Sequence, residues 1–134
     1  MFGLFESKQA RKDRLVMKGA RAMSNGDFAG AERSFIASIG IEPWNAADAW
    51  IGLGSLHWAA KNLEKARDCF KSAMSQRSSS FEAIRGLAHV EKLLVNEARA
   101  HELFLRLKED FKVNLAEDPA VQQNPSWFKE NMLI

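Results

Sequence analysis

"AWIGLGSLHWAAKNLEKARDCFKSA", residues 49–73, spends its tryptophans, glycines and alanines at regular spacing. Trp50, Leu53, Gly54 and His57 recur at i, i+3, i+4 and i+7, one stripe of a helix. Lys61-Asn62 interrupts that pattern, and a second stripe follows at Leu63, Ala66, Phe70, Ala73 and Met74. Two amphipathic helices joined by a short turn predict an antiparallel hairpin. Gly54 and Ala66 are expected to let the two backbones approach, with Trp50 and Phe70 filling the space beside them. A hairpin this small cannot bury both of its faces, so the question becomes whether it repeats.

It does. Ala31, Ala66 and Ala100 are 35 and 34 residues apart, and each is followed four positions later by a phenylalanine: Phe35, Phe70 and Phe104. The chain resembles the tetratricopeptide repeat family, whose signature is W-x2-L-G-x2-Y…A-x3-F…P over 34 residues. Residues 47–80 match it best, with Trp50, Leu53, Gly54, His57, Ala66 and Phe70 in place and Ser78 where proline is usual. Residues 12–46 supply Leu15, Gly19, Ala31, Phe35 and Pro43, with Lys18 at a leucine position. Residues 81–114 supply Ile84, Leu87, Ala88, Ala100 and Phe104, with Glu91 at the aromatic position. The resemblance implies an all-α solenoid of three helical hairpins. It leaves an N-terminal arm, 1–11, and a C-terminal segment, 115–134, outside the repeats.

The rest of the composition is consistent with one soluble domain. Of 134 residues, 46% are hydrophobic and 27% charged, and the net charge is +2. No apolar run reaches the ~18 residues of a membrane span, and the start is too briefly apolar for a signal peptide. With a single cysteine, Cys69, an intrachain disulfide or cysteine-based zinc cluster is excluded. The expected location is cytoplasmic. The charge is uneven: residues 1–21 hold six Lys/Arg against Glu6 and Asp13. This basic arm reads first as a solvated helix face. Residues 1–7 are open to three readings: a frayed end, Phe2, Leu4 and Phe5 covering the first repeat, or, less favoured, those side chains dipping into a membrane surface beside the basic run.

No catalytic constellation is found. His57, His89 and His101 fall on separate stretches without metal spacing, and the phosphate-loop and nucleophile-elbow motifs do not occur. His57 is expected at or near the core, Cys69 as a small apolar side chain, and Ser78-Ser79-Ser80 as an inter-repeat turn. Neither an enzyme nor a cofactor or metal site is expected. Nucleic acid is disfavoured as a partner, because 19 Lys+Arg stand against 17 Asp+Glu and the aromatics interleave with alanines.

In the resembled family the first helix of each repeat lines a concave groove that takes a peptide or helix. Helix geometry places Val16, Ala20 and Met23 of the first repeat there, then Asp48, Ile51, Ser55 and Trp58, then Arg85, His89 and Lys92. The first two sets are largely apolar. The third is expected to receive an acidic group or a C-terminal carboxylate. The carboxylate clamp of heat-shock co-chaperones in this family is not reproduced, because Val16, Ala20 and Gly52 stand at clamp positions. Trp58 is therefore read as a groove residue that can be lost without destabilising the fold, and Trp50 as core. The expected function is non-catalytic binding of a protein or peptide partner. Alternatives are a homo-oligomer built through the groove or the apolar tail, and a membrane-peripheral scaffold.

Asp118-Pro119 and Pro125-Ser126 both read as helix starts. Trp127, Phe128, Met132, Leu133 and Ile134 make the C-terminal segment apolar enough to cap the third repeat or to enter the groove.

Overall fold

The computed structural model describes residues 6–134. Three antiparallel hairpins follow one another along the chain: α1 (Lys8–Ser24) with α2 (Phe28–Ile41), α3 (Ala47–Ala59) with α4 (Leu63–Gln76), and α5 (Phe81–Leu93) with α6 (Glu97–Asp110). Each second helix packs on the first helix of the next hairpin, and α1, α3 and α5 pack side by side. The protein is an all-α hairpin solenoid, and the described residues contain no strand. Residues 8–11, assigned above to an arm, belong to α1, which Ser7 starts by accepting the Ala10 N–H at 3.0 Å.

The repeat seen in the side chains is also written in the backbone. Gly26, Lys61 and Val95 adopt the left-handed conformation, with φ of 79°, 60° and 62°. Each ends the first helix of its hairpin in the same way. The amide one residue later reaches back five positions: Asp27 to the Ala22 carbonyl, Asn62 to His57 and Asn96 to Glu91. That is the Schellman stop, which glycine occupies without strain. Only the first hairpin has glycine there. Val95 is β-branched and 75% exposed, so it bears the left-handed penalty of about 1–2 kcal/mol without packing in return. Val95→Gly is expected to raise stability by about 1 kcal/mol, after glycine's larger unfolded-state entropy is deducted. A thermal melt of the two proteins checks it, and an unchanged or lower midpoint would refute it.

Two phenylalanines lock the hairpins together. The ring of Phe35 lies between Gly19 of its own hairpin and Gly52 of the next, and that of Phe70 between Gly54 and Gly86. A methyl group at any of these four glycines would stand under 3.0 Å from ring carbons. Gly54 therefore makes room for a ring more than for a neighbouring backbone.

The third ring, Phe104, has no fourth hairpin to meet, and the C-terminal segment takes that place. After a 3₁₀ turn at Leu115–Glu117 come α7 (Pro119–Gln123) and α8 (Ser126–Glu130). Phe128 packs edge-on against Phe104 with ring centroids 4.8 Å apart, and Leu115, Val121, Phe128 and Leu133 join the core of the third hairpin. Asp118 caps α7 as expected, accepting the Ala120 N–H at 2.9 Å, whereas Ser126 lies inside α8 and caps nothing. The segment is a cap.

At the other end of the stack, Lys12 is buried and reaches across to the Glu42 carboxylate at 2.6 Å and the Asn45 carbonyl at 2.9 Å. It ties the start of α1 to the loop after α2. Glu91, at the aromatic position of the third repeat, is 1% exposed. It accepts the Asn96 amide at 2.6 Å, and its other oxygen lies 4.0 Å from Arg67 Nε.

Candidate functional site

The residues assigned to the groove lie in different surroundings. Asp48 and Val16 border a small polar hollow of about 60 Å³ with Gln9, Asp13 and Arg77. Arg77 pairs with Asp48 at 2.8 Å. Val16 and Met23 are half-buried against the core of the first two hairpins, and Ala20 is exposed. Ile51, Ser55, Trp58 and Arg85 line a cleft of about 310 Å³ between α3 and α5, with Phe81 and Glu82 on its far side.

The basic end of the groove departs from expectation. Arg85 and His89 do not wait for a foreign carboxylate, because Asp118 of the same chain provides one. Arg85 donates to both Asp118 oxygens, at 2.7 and 2.9 Å. His89 Nε2 lies 3.4 Å from the same carboxylate. Lys92 is drawn to the cap as well, its ammonium 5.4 Å from the Trp127 ring centroid and 5.7 Å from that of Phe128. Helical spacing grouped these three basic side chains, and all three meet the C-terminal segment. It could not show that residues 29–36 positions downstream would cover them.

Trp58 also corrects its assignment. Its ring stacks on His89 at 5.4 Å, meets Phe70 edge-on at 6.5 Å and lies under the Arg85 guanidinium at 5.9 Å. It is half-buried and joins second-hairpin core to third, so removing it costs packing as well as groove surface. Trp50, expected as core, is half-buried and borders a different cleft. That cleft, about 410 Å³, lies between α2 and α4 and is lined by Ile36, Ile39, Trp50, Leu53 and Cys69, with Glu32, His57, Lys65 and Asp68 around it. Sequence reasoning missed it. The only signal was Ile36, an exposed isoleucine facing a tryptophan one repeat on.

The titratable groups follow from this packing. Burial lowers the His89 pKa to about 4 against the pull of Asp118, so the ring is neutral at pH 7. Burial alone would raise Asp118, but the Arg85 hydrogen bonds, His89 and the Ala120 N–H outweigh it and bring it to about 2. Both folded values lie below their ordinary ones, so the unfolded chain binds more protons and stability falls on acidification: protonation is penalised at buried His89 and breaks the pairing of Asp118. Stability is expected to fall first between pH 6.5 and 4, as unfolded chains protonate His89, and again between pH 3.8 and 2 through Asp118. Thermal midpoints across this range check it, with His89→Gln flattening the upper limb and only narrowing the lower, which Arg85 and the Ala120 N–H maintain. A profile that His89→Gln leaves unchanged would contradict the assignment.

The Cys69 thiol is buried and, through that burial and the nearby Asp68 and Glu32, raised to about 11. Among the described residues, no three His, Cys, Asp or Glu side chains converge on a point that would hold a metal ion. No described helix is long and apolar enough to cross a membrane. No family model matches the chain, and no curated protein does.

Proposed function

We propose that this chain is a tetratricopeptide-type interaction module that holds an apolar segment of a partner protein in the cleft between α3 and α5. One observation carries the reading. The chain's own short helix α7 already docks beside this cleft, through the Asp118 carboxylate that starts it and the Arg85 fork. A side of the stack that seats one short helix offers the neighbouring cleft to another. Ile51 and Trp58 supply apolar area there, and tryptophan is a frequent anchor at such surfaces. Arg85 is engaged by Asp118, so Glu82 on the cleft rim is the charge left to orient a partner, and it favours a segment with a basic residue.

The test is photo-crosslinking in cells with a benzophenone amino acid at Ser55, compared with the exposed Lys71 of α4. Discrete adducts from Ser55 and none from Lys71 are expected. Adducts common to both sites, or none from Ser55, would overturn the reading. An adduct of twice the chain's mass would assign the cleft to a second copy.

A further inference from the structure

Helix α1 is held to the stack by one side. Lys12, Val16, Gly19 and Met23 face inward, where Lys12 and Gly19 are buried. At 100° per residue, Arg11, Arg14, Lys18 and Arg21 fall within an arc of about 80°, centred roughly 150° from that inward side, and span about 15 Å of axis. All four are exposed. Arg33 of α2 extends the same surface, since it and Lys18 border a shallow cleft of about 320 Å³ floored by Leu15, Ala22 and Ser34. Asp27 also borders this cleft, but its carboxylate accepts the Gly30 N–H at 2.9 Å. Of the five cations only Arg14 meets an acid, Glu6 at 3.0 Å. Among the described residues, Arg11, Lys18, Arg21 and Arg33 have no acidic side chain paired with them.

A terminal hairpin needs a polar outer face to stay in solution, and mixed charges serve that purpose equally well. The cap at the opposite end is mixed, with Glu117, Lys129 and Glu130 all exposed. Asp13, the one acid of α1, lies outside this arc, so the arc itself carries a single sign and asks for a partner of the opposite sign. The sequence just before α1 narrows the choice, because Phe2, Leu4 and Phe5, which lie outside the described residues, are apolar. Clustered cations beside bulky apolar residues match a surface that is anionic at its face and hydrocarbon beneath it. A nucleic acid would use the cations and leave the apolar residues without a role.

We propose that the outer face of α1, with Arg33, docks on a membrane surface rich in anionic lipid. This does not depend on what occupies the α3–α5 cleft, none of whose lining residues belongs to α1 or α2. The experiment is co-sedimentation of the full chain with phosphatidylcholine vesicles, with and without about one-third phosphatidylserine. Binding is expected only with phosphatidylserine and should weaken as salt shortens the Debye length. Each neutralised cation should cost about fivefold in partitioning, so K18Q/R21Q loses about 25-fold. The control pair K71Q/K129Q should bind like the parent. F2S/F5S should weaken binding while leaving its salt dependence in place. Circular dichroism of each variant verifies folding, which exposed positions should preserve. Equal binding to neutral vesicles, no sedimentation, or the same loss in K71Q/K129Q would overturn the proposal. So would retention on a duplex RNA probe, lost in K18Q/R21Q, with no vesicle binding; that result assigns the face to phosphodiesters.

Discussion

Phe70→Ala is expected to lower the unfolding free energy by about 3–5 kcal/mol, the usual cost of emptying a buried aromatic site. Total stability for a domain of this size is about 5–15 kcal/mol, so the variant should be close to unfolded at moderate temperature. The ring is 1% exposed and touches two hairpins at once, through Gly54 on one side and Gly86 on the other. The complementary change makes the same point from the opposite direction. Gly86→Ala adds a methyl group where ring carbons already stand under 3.0 Å away, and the expected cost is about 1–3 kcal/mol despite alanine's better helix propensity. Phe70→Leu should relieve part of that cost, so the two changes should be non-additive in chemical denaturation. A neutral or stabilising Gly86→Ala would mean that the ring has room to spare and that the socket does not couple the hairpins.

The second large effect concerns the cap. Phe128 is 1% exposed and packs against Phe104, His89 and Trp127. Phe128→Ala is expected to cost about 3–5 kcal/mol. Ending the chain at Asp118 goes further, since it removes Val121, Phe128 and Leu133, each worth about 1.5–3 kcal/mol when buried. That sum rivals the whole stability of the domain. The truncated chain is expected to lose amide-exchange protection in α5 and α6 first. Unchanged protection there would show the segment to be an appendage. The same burial decides against a freely displaced tail, because any partner replacing it would have to offset that loss.

The hairpin count and the phase of the repeat were legible because Ala31, Ala66 and Ala100 and their phenylalanines must be small and large wherever two helices cross. The glycines at 52 and 86 were not legible. A motif confined to one repeat says nothing about which position of the next repeat receives its ring, and Gly52 stood at a position where family resemblance suggested a ligand contact. The groove was half legible. Helical spacing put Ile51, Ser55, Trp58 and Arg85 along one cleft, yet Trp50 and Trp58 were assigned opposite burial and proved similar. The repeat signature rewards the first tryptophan, while a ring one repeat away, His89, covers the second. Asp118 was identified as a helix cap. Its second role, on Arg85 and His89, depends on a fold-back that no local pattern encodes.

The packing of Phe128 on Phe104 has a consequence for evolution and engineering. An array that joins its units by a ring in a socket grows by adding units at its open socket, and here that socket is plugged by the chain itself. Duplicating a hairpin after α6 would have to dislodge the plug, whereas one inserted between α2 and α3, or between α4 and α5, would find a ring and a glycine already in register. Longer versions of this protein should therefore be built from the middle, and end-to-end polymers should not form through the plugged end.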